Sequence, residues 1–176
     1  MIKMRKTITK NDLKKAVEKL GKIKVMVVDD DSRIAFIVRE ILESIGFTNN
    51  CFAKNGEDAL RIIASEKIDM VITDWRMSHM DGISLIKHLR TSENSPNRFM
   101  PIIMLTANVE REHVEMARDS GVTEFVIKPF SAKTLCDRIA LLIENPRGFI
   151  MSKAFVGPDR RRRTMLPPDN IEKRRE

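Results

Sequence analysis

Ile23-Lys24-Val25-Met26-Val27-Val28-Asp29-Asp30-Asp31 is the stretch on which the fold turns. Its apolar part is too short for a buried helix and does not alternate with polar residues, so it reads as a strand covered on both faces. It then stops abruptly at three carboxylates. The same grammar returns three times. Val71-Ile72-Thr73-Asp74-Trp75-Arg76-Met77 ends its apolar run at a carboxylate, Met104-Leu105-Thr106-Ala107 at a hydroxyl, and Phe125-Val126-Ile127-Lys128-Pro129-Phe130 at a lysine. In open α/β sheets, polar groups at the carboxyl ends of parallel strands converge on one crevice.

Between these runs the period changes from strand to helix. Asp31 or Ser32 can cap a helix whose apolar stripe holds Ile34, Ile37, Val38, Ile41, Leu42 and Ile45, with Gly46 ending it. Residues 49–53 read as a second strand. Asn55-Gly56-Glu57-Asp58 opens a helix carrying Ala59, Leu60, Ile62 and Ile63. Asp81-Gly82 opens another, with Ile83, Leu85, Ile86 and Leu89. A helix over 110–120 stops at Gly121, a position suited to a left-handed cap. Ser131 caps the last one, which carries Leu135, Ile139, Leu142 and Ile143 and ends before Pro146. Five strands alternating with five helices predict a doubly wound α/β fold around a parallel sheet.

The chain has 176 residues, enough for one domain with extensions. Its formal charge of +7 is uneven: residues 1–24 carry +7, residues 149–176 carry +4, and the stretch between them −4. The basic balance therefore belongs to the ends. Three regions follow: a basic extension over 1–22 with one short amphipathic helix across 9–20, a domain over 23–145, and a Pro/Arg-rich tail over 146–176. The tail has too little apolar content to fold alone and is expected to be disordered. Charged residues interrupt every apolar run before it reaches a membrane span. No apolar signal core follows the basic start, so the expected location is the cytoplasm, with Cys51 and Cys136 as free thiols.

The carboxylates suggest a cation. Asp29, Asp30 and Asp31 follow strand one and Asp74 follows strand three. If those strands are neighbours, Asp29 or Asp30 comes within a few ångströms of Asp74. Clustered carboxylates raise one another's pKa, and Mg²⁺ relieves the repulsion through oxygen ligands. Asp31, one residue further on, is placed to cap the following helix. His79, His88 and His113 share no metal-ligand spacing.

These four motifs in this order resemble the receiver domain of bacterial two-component response regulators, a CheY-like, flavodoxin-like fold. The resemblance implies a five-stranded sheet of order 2-1-3-4-5. It implies that Asp74 is the phosphoacceptor, and that Asp29, Asp30, Asp74 and the backbone carbonyl of Arg76 hold Mg²⁺. Thr106, the Ala107 backbone and Lys128 would contact the phosphoryl group, and the Lys128–Pro129 bond would be cis. Thr106 and Phe125 would form the switch, read out on the face made by the fourth helix, fifth strand and fifth helix. Arg76 and Asn108, each two residues past a site residue, would tune phosphoryl lifetime. The implied partners are a histidine kinase or phosphotransfer protein upstream and a protein downstream, a phosphorylation-dependent dimer being one form of output. Where the family often has proline this chain has Ser78, which is expected to loosen the loop after Asp74.

Two other readings compete. Arg160, Arg161, Arg162 and Arg163 with Lys173, Arg174 and Arg175 could grip nucleic acid or an acidic partner, although aromatic residues for base stacking are scarce there. An aspartate-nucleophile phosphohydrolase would need a second acidic residue where Arg76 stands. The expectation is therefore a signalling receiver whose catalysis is limited to its own phosphorylation and dephosphorylation.

Overall fold

All five apolar runs form strands in the computed structural model, which describes residues 18–107, 110–152 and 155–159. In chain order the elements are β1 (Lys24–Val28), α1 (Ser32–Ser44), β2 (Asn49–Ala53), α2 (Gly56–Ser65), β3 (Met70–Asp74), α3 (Gly82–Thr91), β4 (Ile102–Thr106), α4 (Arg111–Ser120), β5 (Glu124–Ile127) and α5 (Ala132–Glu144). The sheet order is β2-β1-β3-β4-β5, all pairs parallel.

Side-chain alternation along the strands builds two cores. Val25 and Val27 of β1, with Ile72, Ile103 and Leu105, meet Val38, Leu42, Leu135 and Ile139 from α1 and α5. Met26 and Val28, with Val71, Ile102 and Met104, meet Ala59, Ile63, Ile86 and Ala117 from α2, α3 and α4. Successive strand residues point to opposite faces, so a strand buried on both sides is apolar throughout. Each fully buried Leu or Ile contributes about 1.5–3 kcal/mol by leaving water.

The helix starts follow the capping residues. Asp31, Asn55, Asp81 and Ser131 each accept a backbone N–H from the first turn of α1, α2, α3 and α5. Gly121 ends α4 at φ 91°, in the left-handed region. Two residues placed on buried stripes by their spacing are instead open to solvent. Ile37 and Ile143 are 46% and 45% exposed, because each lies at the margin of its stripe, off the line of the residues that face the sheet.

The tail departs from the expected disorder over 149–151 and 156–158. Here β6 (Phe149–Met151) and β7 (Val156–Pro158) pair as an antiparallel hairpin. Composition treats the segment in isolation, whereas its apolar residues find partners on the domain. Phe149 meets Phe99 edge-on at 5.5 Å between centroids, and Val156 is buried. Residues 18–20 are helical, as the end of the helix expected over 9–20 would be. The rest of that helix, the arginines at 160–163 and Asn108 lie outside the described residues.

Candidate functional site

The carboxyl ends of β1 and β3 lie side by side because those strands are neighbours, with Val28 registered against Thr73. That register brings Asp29, Asp30 and Asp74 together: each offers a carboxylate oxygen, and these oxygens lie within 4.8 Å of one another. An all-oxygen acidic set of this kind suits a hard divalent cation such as Mg²⁺. Asp29 is buried, Asp74 half-buried and Asp30 exposed. Burial pushes the Asp29 carboxyl up from its ordinary value, against the Asp31 amide and the Lys128 ammonium that favour its charged form. The neighbouring Asp74 carboxylate also raises it, in the direction expected of clustered acids.

Lys128 reaches this cluster from β5, at the other side of β4. Its Nζ is 2.9 Å from Asp74 Oδ1 and 3.2 Å from Asp29 Oδ2. Burial pulls the ammonium down, but hydrogen bonding and attraction from Asp74 and Asp29 outweigh it, and its pKa is raised. The lysine precedes a cis Lys128–Pro129 bond, and its backbone N–H donates to Thr106 O at 2.7 Å. Thr106 is buried at the end of β4, and Ala107 is exposed immediately beyond it. Phe125 is half-buried and packs on the core beneath α2, α3 and α4.

The loop after Asp74 is tied down at several points. Trp75 N–H donates to Leu105 O and Gly82 N–H to Trp75 O, at 3.0 and 2.8 Å. Gly82 passes so close that an added Cβ would lie 2.1 Å from Asp74 O, leaving no room for a side chain. Arg76 is exposed. Ser78 supplies one more of these ties. Its backbone N–H, which a proline would lack, donates to Asp30 Oδ2 at 3.2 Å. Asp31, as read from the sequence, is outside the cluster and caps α1.

Other features were not picked out from the sequence. Trp75 meets His113 of α4 edge-on, with centroids 5.2 Å apart, so the residue after Asp74 touches the fourth helix. A cavity of about 570 Å³ opens beside Asp29 and Asp30 and is lined by Phe36, Arg39 and Phe52. No linear motif announces either contact, because each joins elements distant in sequence.

This geometry agrees with what the chain is similar to. Residues 25–140 match the response regulator receiver domain family. The chain belongs to that family. This receiver is 35% identical over 126 residues to the chemotaxis protein CheY of Pseudomonas aeruginosa, covering 72% of this chain and all of the relative. It is 36% identical over 122 residues to CheY-3 of Vibrio cholerae, covering 69% and 92%. Among solved structures, CheY4 of Vibrio cholerae superposes with a TM-score of 0.61 at 30% identity, covering 66% of the receiver's chain and 95% of its own. A receiver domain from a Pseudomonas aeruginosa sensor histidine kinase, described with a magnesium ion coordinated in its active-site cleft, gives 0.62 at 26% identity and covers 70% and 98%. The receiver is thus a two-component signalling module of CheY type. Among its described residues, no helix is long and apolar enough to cross a membrane.

Proposed function

We propose that the receiver accepts a phosphoryl group on Asp74 and changes its protein contacts in response. The observation that carries this reading is Lys128 Nζ between Asp74 and Asp29, beside a three-carboxylate cluster. A carboxylate oxygen of Asp74 attacks the phosphorus of a phosphohistidine on a kinase or phosphotransfer protein. The P–O bond forms as the P–N bond breaks, the imidazole leaves, and the product is an acyl phosphate. Asp29, Asp30, Asp74 and the Arg76 carbonyl are the groups that would hold Mg²⁺. When bound, the ion neutralises charge on the phosphoryl oxygens. Lys128 pairs with one of those oxygens in place of Asp74, and Thr106 supplies a hydroxyl to another. The cavity beside Phe36 and Phe52 gives the donor an apolar approach.

Movement of Thr106 toward the phosphoryl group leaves space into which Phe125 turns, altering the face formed by α4, β5 and α5. A downstream protein reads that face. Arg76 and Asn108, each two residues past a site residue in the sequence, set how long the acyl phosphate lasts. The receiver acts as a cytoplasmic switch rather than a turnover enzyme, since Arg76 occupies the position where a phosphohydrolase needs an acid.

Intact mass after incubation with acetyl phosphate and Mg²⁺ tests the reading. Wild type gains a phosphoryl group, while Asp74→Asn and wild type in EDTA do not. Equal labelling of Asp74→Asn would remove Asp74 from the role.

A further inference from the structure

The β6–β7 hairpin lies against Phe99 and Gly121, which precede β4 and β5, whereas Asp74 is at the carboxyl end of β3. It is attached there by backbone as well as side chains. An added Cβ on Gly157 would lie 2.9 Å from Gly121 Cα, and one on Gly121 would lie 2.6 Å from Val156 O. Two glycines thus let the hairpin backbone lie against the left-handed cap of α4.

Two charged side chains are buried around this contact, Arg90 and Glu124. Arg90 of α3 is 1% exposed. Its Nε donates to Gly121 O at 3.0 Å, its Nη1 to Arg98 O at 2.9 Å, and its guanidinium lies over the Phe149 ring at 5.1 Å. Burial lowers its pKa to about 10, so it stays charged at neutral pH. At the root of the hairpin, Arg147 Nη2 is 2.7 Å from Oε1 of Glu124, a buried carboxylate that Arg138 of α5 also approaches at 3.5 Å. Glu124 is the residue before Phe125.

We propose that this hairpin is a latch on the α4–β5 junction, and that phosphorylation of Asp74 loosens it. The inference rests on the Asp74 reading above. The hairpin packs on Gly121, the cap of α4, and Arg147 at its root pairs with Glu124, the first residue of β5; α4 and β5 are two of the elements that reading moves. A backbone-on-backbone fit has no flexible side chain to absorb a shift, so it favours one arrangement of the junction over another. The docked arrangement is the one in which Lys128 still pairs with the Asp74 carboxylate. By reciprocity, whatever docking gains from that arrangement, phosphorylation must overcome.

Hydrogen exchange on the full chain with Mg²⁺, with and without beryllofluoride as an acyl-phosphate analogue, provides the test. The amides of Ser152 and Asp159, bonded to Phe155 O and Gly148 O, report the hairpin. Beryllofluoride is expected to slow exchange at Lys128 and to speed it at Ser152 and Asp159 by about fivefold or more, the lower end of ordinary site-to-site coupling. Reciprocally, Gly157→Val, and the milder Phe149→Ala, should bind beryllofluoride more tightly by a similar factor, with exchange in β1 and β3 unchanged to show an intact domain. A response at Lys128 with an unchanged or slower hairpin, or unchanged affinity in both variants, overturns the latch and leaves the Asp74 reading standing. Absence of any response at Lys128 overturns both.

Discussion

The backbone amide of Ser78 donates to Asp30 Oδ2 at 3.2 Å, joining the loop after Asp74 to an acid of the carboxylate cluster. A hydrogen bond of this kind contributes about 0.5–1.5 kcal/mol, and a cation using the same oxygen must displace or share it. Ser78→Pro removes the donor, whereas Ser78→Ala retains it. Magnesium should therefore bind Ser78→Pro about two- to tenfold more tightly than wild type, with Ser78→Ala unchanged. Trp75, the only tryptophan and the neighbour of Asp74, gives the fluorescence titration. Equal affinity in Ser78→Pro and wild type would mean that the amide does not compete.

Lys128 is the cation that the structure places on Asp74 and Asp29. Lys128→Met leaves both carboxylates without it. In EDTA that variant should lose about 1–3 kcal/mol of unfolding free energy in urea, the cost of leaving buried polar groups unpaired. Mg²⁺ should restore more stability to the variant than to wild type. An equal Mg²⁺ increment in the two proteins would contradict the shared site.

Gly82 approaches Asp74 O closely enough that no Cβ fits. Gly82→Ala must push the start of α3 off the Asp74 backbone, a strain of about 1–3 kcal/mol for overpacking. Urea unfolding should show this loss, with an unchanged m-value. A variant as stable as wild type would show that α3 moves without cost.

The strands of the sheet were legible because a parallel strand buried on both faces leaves a short apolar run, and this chain has several, four of them ending in a residue with chemistry to offer. The capping residues Asp31, Asn55, Asp81 and Ser131 announced their helices for the same local reason. The cluster of Asp29, Asp30, Asp74 and Lys128 was legible as strand-end residues once strand order was supplied by resemblance. What escaped were contacts made by backbone or by docking. Nothing about serine at position 78 reveals that its amide faces Asp30. The hairpin was missed because Phe149 and Val156 are too few to form a core alone, yet sufficient when Arg90, Phe99 and Gly121 offer a surface. One signal was present: Arg90 follows Leu89 and stands four residues after Ile86 on the inward stripe of α3, where a solvated arginine does not belong.

Burial raises the thiol pKa of both Cys51 and Cys136. The folded state then prefers the neutral thiol. This costs no stability below the ordinary thiol value of about 8.5, and stability is lost as pH rises through the raised values. Iodoacetamide should alkylate the native protein more slowly than the urea-unfolded chain at pH 7.5, with a rate profile displaced to higher pH. Equal rates and profiles would contradict the burial of these groups.

The central claim is that Asp74 becomes a transient acyl phosphate, and trapping it is the most direct test. Treating the protein with acetyl phosphate and Mg²⁺, then with borohydride, reduces an aspartyl phosphate to homoserine, which tandem mass spectrometry locates by residue. Homoserine at Asp74, dependent on both donor and Mg²⁺, is the expected result. Homoserine at Asp29 or Asp30 instead, or none in a protein that binds Mg²⁺, would contradict the account.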